Sequence, residues 1–252
     1  MAQRVLVVTG GSRGIGAATS LLAAERGYAV VVNYVGNVEA AEHVVAAIHA
    51  KGGVAVAVRG DVSDPEDVEH IFRAADRAGP LAGLVNNAGV VDVAARVDGM
   101  DVARLSRMFA VNITGSFLCA AAAIRRMSTR HGGTGGAIVN LGSAASKLGS
   151  PGYYVDYAAA KGAIDTFTVG LALELAGEGV RVNAVRPGII DTDIHAAGGE
   201  PDRAKTLAPT LPMARVGTVE EVARAILWLL SDEASYTTGT TLAVTGGRAI
   251  QP

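Results

Sequence analysis

Short apolar runs rich in β-branched residues alternate along this chain with longer stretches of helical pattern. The predicted strands cover 5–9, 29–34, 54–58, 81–85, 136–141, 180–185 and 241–244, and the predicted helices cover 14–26, 38–50, 65–78, 102–127, 154–176 and 219–230. Such alternation favours a parallel sheet with helices on both faces, because each crossover helix returns the chain to the same end of the sheet. The sequence therefore predicts an α/β fold.

Length and charge narrow the class of protein. The 252 residues fit one large α/β domain or two small ones, and no break in composition divides them. With 24 acidic and 22 basic residues, no positive excess favours nucleic acid or an anionic membrane as a partner. Cys119 is the single cysteine, and the five histidines lack metal-ligand spacing. No signal-like segment or stretch of about 18 apolar residues stands out, so we expect a cytoplasmic protein.

The stretches that follow the predicted strands should share one crevice. In doubly wound sheets, ligands bind outside the carboxyl ends of the strands. These stretches are Gly10–Gly16, Asp61-Val62, Asn86–Gly89, Gly142-Ser143 and the segment from Pro187 onward. We therefore expect these five segments to lie together.

A glycine-rich turn separates the first predicted strand from the first predicted helix. It reads Thr9-Gly10-Gly11-Ser12-Arg13-Gly14-Ile15-Gly16, a G-x-x-x-G-x-G spacing. Glycines there permit a tight turn and let backbone N–H groups approach a pyrophosphate at the helix N-terminus. A glycine-rich turn without a ligand is the alternative interpretation.

Tyr157 and Lys161 lie four residues apart in a predicted helix, so they share one of its faces. A free tyrosine has a pKa of about 10, and a nearby cation favours the phenolate. The pair therefore predicts a proton donor and acceptor whose pKa is lowered by Lys161. By itself the Y-x-x-x-K pattern also occurs by chance.

Taken together, T-G-x-x-x-G-I-G, N-N-A-G, a serine ahead of Y-x-x-x-K, and P-G resemble the classical short-chain dehydrogenases/reductases. The resemblance covers essentially the whole chain. It implies a single Rossmann-like domain over 1–252, with a doubly wound parallel sheet of seven strands.

The resemblance also implies catalytic roles. Tyr157 would exchange a proton with the substrate oxygen, Lys161 would bind the nicotinamide ribose, and Ser143 would hydrogen-bond the reacting oxygen. Asn112 would hold a water that links Lys161 to solvent. Ser146 and Ser150 are the competing serines, and Ser143 is preferred because it directly follows the fifth predicted strand.

The end of the second predicted strand bears on the choice of cofactor. An acidic residue there, about 20 residues after the glycine turn, would bond the ribose hydroxyls and favour NAD. This place holds Asn33 and then Tyr34, which are uncharged, and Arg13 can reach a 2′-phosphate. The sequence thus favours NADP(H) over NAD(H). The residues expected to bind the cofactor are Gly10, Ser12, Arg13, Gly14, Ile15, Gly16, Asn33, Asp61, Val62, Asn87, Ala88, Gly89, Tyr157, Lys161, Pro187, Gly188, Ile190 and Thr192.

Among its relatives, the chain looks most like 3-oxoacyl-[acyl-carrier-protein] reductases and glucose or sugar dehydrogenases. Arg130 matches one basic position for carrier docking, but Leu173 occupies the second. The resemblance implies an NADP-dependent carbonyl reductase acting on a small molecule. An NAD-dependent sugar or alcohol dehydrogenase and a non-catalytic cofactor sensor remain the alternatives. Substrate choice would rest on 92–96 and on a loop or lid at about 188–215.

Two long predicted helices carry more apolar residues than one sheet-facing stripe needs. These residues are Phe109, Phe117, Leu118, Phe167, Val169 and Leu171. Relatives commonly pair these two helices between subunits, so we expect a homotetramer.

Overall fold

All seven strands are parallel and form one sheet in the order β3-β2-β1-β4-β5-β6-β7. The computed structural model describes residues 3–249. The strands are β1 (Val5–Val8), β2 (Ala29–Tyr34), β3 (Val54–Arg59), β4 (Leu81–Asn86), β5 (Gly136–Leu141), β6 (Val180–Pro187) and β7 (Thr241–Val244). The strand order reverses at β1, which lies between β2 and β4, and this is where a doubly wound sheet opens its crevice. The predicted fold class is confirmed.

Helices cover both faces of the sheet. They are α1 (Gly14–Glu25), α2 (Val38–Ala50), α3 (Pro65–Ala78), α4 (Val102–Phe109), α5 (Gly115–Met127), α6 (Ala145–Leu148), α7 (Val155–Leu175), α8 (Ile194–Ala197), α9 (Arg203–Leu207) and α10 (Val219–Leu230). Helices α3, α5 and α7 bury apolar side chains on one face, and α1, α2 and α10 do so on the other. Because both faces are covered, the central strand β1 is wholly buried, which explains its unbroken apolar sequence.

The predicted helix over 102–127 is continuous but contains a π-helical turn at Ala110–Thr114 between α4 and α5. Contrary to expectation, its length and hydropathy match those of a membrane-crossing helix. In the structure, 44% of its apolar window is buried, and α5 packs on β4 and α3. Burial of this kind is typical of a core helix, which passes the same test of length and hydropathy.

The segment predicted to be a loop or lid at about 188–215 contains the short helices α8 and α9 and a 3-10 turn at Ala208–Thr210. Its base is fixed by parallel bridging of Ile190 to Gly217. The short helix α6, directly after β5, was also absent from the sequence-based prediction. Both elements are brief and lack a capping side chain, so the sequence carries little signal for them.

Candidate active site

The glycine turn between β1 and α1 has a shape that only glycine permits. Gly10 and Gly14 have φ angles of 59° and 53°, and a Cβ on Gly16 would lie 2.2 Å from the carbonyl oxygen of Gly10. Helix α1 has no side-chain cap and no acidic residue in its first turn. Its free N–H groups and positive dipole end therefore suit an anion, and the turn fits the pyrophosphate of a dinucleotide.

Thr9 joins this turn to the segment that follows β4. Its hydroxyl oxygen accepts hydrogen bonds from the backbone N–H groups of Asn87 and Ala88, each at 3.0 Å. The Asn87 amide donates to the carbonyl oxygens of Thr9 and Gly10 at 2.9 and 3.0 Å. These bonds hold the Gly10–Gly16 turn and the Asn86–Gly89 segment together. The importance of Thr9 was missed, although a polar residue that closes a buried apolar strand is a usable signal.

Asn112 lies in the π-helical turn and is fully buried. Its amide nitrogen donates to the carbonyl oxygen of Val90 at 2.9 Å, and its amide oxygen accepts from the N–H of Val90 at 3.2 Å. A Cβ on Gly89 would lie 2.8 Å from that amide oxygen and 3.6 Å from Lys161 Nζ. The bare backbone at Gly89 therefore lets Asn112 and Lys161 lie beside the β4 segment. Such π-helical turns often mark functional sites.

Tyr157, Ser143 and Lys161 converge as predicted. Tyr157 lies in the first turn of α7, near enough to Ser143 for the serine hydroxyl to lower the pKa of the phenol. Lys161 Nζ lies 5.6 Å from the centroid of the Tyr157 ring and donates to the carbonyl oxygen of Leu141 at 2.8 Å. One helix and the end of β5 thus fix the three groups.

The pKa of Tyr157 changes in the opposite direction to the prediction. Burial raises the pKa of Tyr157 to about 12, and the hydrogen bond with Ser143 offsets only part of that rise. The expected lowering of this pKa is therefore not found, because loss of hydration of the phenolate on burial is the largest effect. Burial also lowers the pKa of Lys161 to about 8, against the opposing charge of Asp165.

The competing serines have other partners. Ser146 donates to Asp165 Oδ2 at 2.7 Å and accepts from the Arg186 guanidinium at 3.2 Å. Ser150 has a φ of 46° and its carbonyl accepts the N–H groups of 153 and 154 ahead of α7. Ser143 is therefore the serine that the fold brings to Tyr157.

At the end of β2, Asn33 is buried and bonded entirely to backbone. Its amide nitrogen donates to the carbonyl oxygens of Gly60 and Val58 at 2.8 and 3.3 Å, and its amide oxygen accepts the N–H of Gly10 at 3.2 Å. Asn33 thus shapes the glycine turn, and the half-buried Tyr34 is the last side chain of the strand.

Arg13 and Arg59 border the same end of the sheet. Arg13 is exposed, and its guanidinium makes no hydrogen bond or ion pair with another residue of the described range 3–249. Arg59, which pairs with Tyr34 in register, donates to the carbonyl oxygen of Val35 at 3.2 Å. The guanidinium groups of Arg13 and Arg59 therefore lie on the segments that border the end of β2, and residues 33–36 carry no acidic side chain.

After β3, Asp61 caps the turn that precedes α3, accepting the N–H of Ser63 at 2.8 Å. Val62 is buried, and a Cβ on Gly115 would lie 2.6 Å from its side chain. These contacts leave Asp61 half-buried at the edge of the crevice.

The segment after β6 closes the crevice from the other side. A Cβ on Gly14 would lie 3.3 Å from Thr192 Cγ2, which places Thr192 against the glycine turn. The Pro187 carbonyl accepts the N–H of Ala144, and Gly188 packs closely on Thr245. Ile190 is buried at the base of the segment. The predicted segments after β1, β4, β5 and β6 thus meet at one edge.

A buried ion pair that sequence reasoning missed holds the loop after β4. Arg104 Nε donates to Asp156 Oδ2 at 2.7 Å, and Arg104 Nη1 donates to the carbonyl oxygen of Val93 at 2.6 Å. The Asp156 side chain is only 1% exposed and directly precedes Tyr157. The two charges are far apart in sequence, so no local pattern reveals the pair.

Across residues 3–249, no three His, Cys, Asp or Glu side chains are grouped as a metal site. The crevice instead contains the N-terminus of α1, two arginines, and the Ser143 hydroxyl, the Tyr157 phenol and the Lys161 ammonium. This arrangement suits a phosphate-bearing cofactor and proton exchange with an oxygen substituent.

Comparisons with known proteins agree with this chemistry. The family model described as Enoyl-(Acyl carrier protein) reductase matches residues 10–249. YgfF, an uncharacterized oxidoreductase of Escherichia coli (strain K12), is 53% identical over 97% of this chain and 99% of its own length. The 3beta-hydroxysteroid dehydrogenase 1 of Eggerthella lenta is 41% identical over 99% of this chain and 95% of its own length. A blue fluorescent protein from a metagenomic library, solved in complex with NADPH, superposes with a TM-score of 0.88 at 34% identity, covering 98% of both chains.

Proposed function

This chain is an oxidoreductase of the short-chain dehydrogenase/reductase family, and from that premise we propose that it interconverts a carbonyl and a secondary alcohol with NADP(H). The observation that carries the proposal is the convergence of Ser143, Tyr157 and Lys161, with Lys161 Nζ 5.6 Å from the centroid of the Tyr157 ring. Tyr157 is the acid and base of the reaction.

In the proposed reaction, each residue of the site has a separate role. When bound, the nicotinamide cofactor supplies or accepts the hydride. Tyr157 gives its phenolic proton to the carbonyl oxygen during reduction and takes it back during oxidation. Ser143 donates a hydrogen bond to the same oxygen as negative charge develops there. Lys161, protonated below its pKa of about 8, holds the ribose beside Tyr157, while Asn112 fixes the neighbouring backbone.

The cofactor preference rests on charge at the end of β2. Arg13 supplies a guanidinium to a 2′-phosphate, and Arg59, opposite Tyr34 on the neighbouring strand, adds a second cation near the end of β2. No acidic side chain stands at residues 33–36 to repel that phosphate. The NADPH complex of the structural neighbour is consistent with this choice. An NAD-dependent sugar or alcohol dehydrogenase is the alternative.

We expect the substrate to be a small molecule. Arg130, at the carrier-docking position suggested by sequence, pairs with Glu178 at 3.8 Å. Leu173, at the second position, is 77% exposed and carries no charge. This surface thus lacks the pair of free cations that an acidic carrier would need.

The segment at about 188–215 serves as a lid in this proposal. Long loops beside a site often close over the substrate. Here the Tyr154 hydroxyl donates to the carbonyl oxygen of Gly198 at 3.1 Å, so the lid rests on the strand-to-helix loop before Tyr157. Hydrogen exchange should slow in this segment when NADP(H) is added. Equal protection with and without cofactor would show that the segment does not act as a lid.

We place the enzyme in the cytoplasm as a homotetramer, without nucleic-acid or membrane partners. Phe117 stacks on Phe167 with centroids 3.9 Å apart, and Phe117, Val169 and Leu173 stay exposed on α5 and α7. Leu171, by contrast, is buried within the subunit. An exposed apolar face of this kind is typical of a subunit interface.

A nicotinamide absorbance assay with a panel of ketones and alcohols tests the proposal. The wild type should turn over at least one compound, and Tyr157→Phe should abolish turnover while leaving cofactor affinity nearly unchanged. Lys161→Ala should reduce both, because one ammonium serves both roles. Retention of more than a few per cent of the rate in Tyr157→Phe would exclude this tyrosine as the acid and base. Cofactor binding without any turnover would favour a sensor.

A further inference from the structure

A cavity of about 660 Å³ lies between the loop 148–153, which leads into α7, and the part of the lid that contains α9. Arg203 of the lid and Arg248, after β7, both line it. Its volume is much larger than one carboxylate and leaves room for several carbon atoms beside it.

Arg203 is held rigidly in this cavity. Its guanidinium carbon lies 5.0 Å from the ring centroid of Tyr153 and 5.4 Å from that of Tyr154. It also forms an ion pair with Glu200. Two aromatic faces and one carboxylate therefore fix its position and balance its charge.

The positive charge of Arg248 is not balanced in this way. It is half-buried, and within the described part of the chain it makes no ion pair with an acidic side chain. Burial, and then the nearby charge of Arg203, lower the pKa of the Arg248 guanidinium. Asp202 also lines the cavity but is exposed and pairs with neither arginine. A partly desolvated cation next to a like charge is stabilised by an anion that enters the cavity.

The cavity wall is continuous with the active-site loops. The Tyr153 carbonyl oxygen accepts the N–H of Ala95 at 3.0 Å, and a Cβ on Gly199 would lie 3.7 Å from the Val93 side chain. Tyr153 and Tyr154 precede Tyr157 by four and three residues. The loop that lines the cavity therefore leads directly into the helix that carries Tyr157.

We propose that this cavity binds a carboxylate of the substrate, held chiefly by Arg248 and flanked by Arg203, so that the enzyme acts on oxo acids and hydroxy acids. The charged group lies apart from the reacting carbon, because the cavity is lined by the lid and not by Ser143 or Tyr157. The inference rests on the proposed function and adds its substrate class.

The test compares straight-chain oxo acids with their primary amides, which have nearly the same shape without the charge. A charge-assisted hydrogen bond predicts that wild-type kcat/KM favours the acid by about tenfold to a hundredfold at the optimal chain length. Arg248→Gln should reduce the acid-to-amide ratio by a similar factor, and Arg248→Lys should restore part of it. Arg77→Gln, which removes an exposed positive charge on α3, is the matched control and should leave the ratio unchanged.

Binding gives an independent readout. Titration of hexanoate into the protein with NADPH, followed by calorimetry, should give measurable affinity that falls at least tenfold in Arg248→Gln, with hexanamide binding weakly to both. If neutral ketones are reduced but acids are not preferred, or if Arg248→Gln leaves the ratio unchanged, the carboxylate site is wrong and the proposed function stands. If no compound is reduced, the proposed function fails, and equal hexanoate binding by both proteins would then overturn the carboxylate site as well.

Discussion

At the scale of single residues, the active site depends on the balance between burial and hydrogen bonding at Tyr157. Burial stabilises the neutral phenol, which is the form that would donate a proton in the proposed reduction. The Ser143 hydrogen bond favours the phenolate, the form that oxidation needs. The two directions of the reaction should therefore depend differently on pH.

Ser143→Ala should shift the pH profile of alcohol oxidation upward. Burial raises the pKa of Tyr157, and the Ser143 hydrogen bond offsets part of that rise. Removing the Ser143 hydroxyl should therefore raise the pKa of Tyr157 further. Oxidation needs the deprotonated phenol, and its rising limb would move to higher pH, with a loss in kcat of about a hundredfold as the oxyanion donor is removed. Ketone reduction should keep its plateau at neutral pH. Profiles of kcat/KM in both directions check this, and a limb that moves to lower pH would contradict it.

Cofactor preference can be reversed at Tyr34 rather than at Asn33. The double variant Arg13→Ala, Tyr34→Asp removes a cation and adds an acid at the end of β2, where it can bond ribose hydroxyls. In the wild type, kcat/KM should be about tenfold to a hundredfold higher with NADP(H) than with NAD(H). In the double variant, this ratio should fall below one. Asn33→Asp is the contrasting variant, because its carboxylate would face the carbonyls of Gly60 and Val58 and lower the melting temperature. A wild type that prefers NAD(H) would refute the role of Arg13.

The sequence predicted which residues of the candidate site lie close together better than it predicted their pKa values. The order of motifs brought Ser143, Tyr157, Lys161 and Asn112 to one place, because strand ends in a parallel sheet share an edge. It could not predict the raised pKa of Tyr157, since burial depends on how surrounding loops pack. The amide of Asn33 was assigned to the cofactor region by its position, whereas its bonds to Gly60 and Gly10 arise only in the folded chain.

At the scale of elements, the helices with clear boundary signals were predicted to the residue. Asp64 with Pro65 starts α3, and Thr218 with Glu221 forms a capping box at α10. The π-helical turn at 110–114 was not predicted, because a one-residue change in helical register leaves little trace in apolar periodicity. Short helices within the lid were missed for the same lack of signal.

The loop after β4 should depend on the buried pair Arg104–Asp156. Its side chains are 11% and 1% exposed, so Arg104→Met would leave an unpaired carboxylate and cost about 3–5 kcal/mol of unfolding free energy. Arg107→Met is the matched control on the same helix. Arg107 pairs with Asp92 but is 58% exposed, and we expect a loss below about 1 kcal/mol. Urea denaturation checks both values, and equal losses would show that the buried pair has no special role.

At the scale of the whole molecule, the apolar face of α5 and α7 should hold subunits together. Leu173 is 77% exposed there, and Leu173→Glu would place a charge on an otherwise apolar interface. Light scattering at micromolar concentration should give the mass of a tetramer for the wild type and a smaller species for the variant. Val54→Glu, on the exposed face of edge strand β3, should leave the mass unchanged. A monomeric wild type would exclude the proposed homotetramer.

The position of β1 inside the sheet has a consequence for biosynthesis. The chain leaves the ribosome from its amino terminus, so β1, β2 and β3 are available together before β4 has been made. During that interval one edge of the wholly apolar β1 has no neighbour, since β4 must later occupy it. An open strand edge is a template for pairing with other chains. In the interval between the emergence of β3 and that of β4, this edge of β1 is therefore open to misassembly, and a pause in translation there would lengthen it.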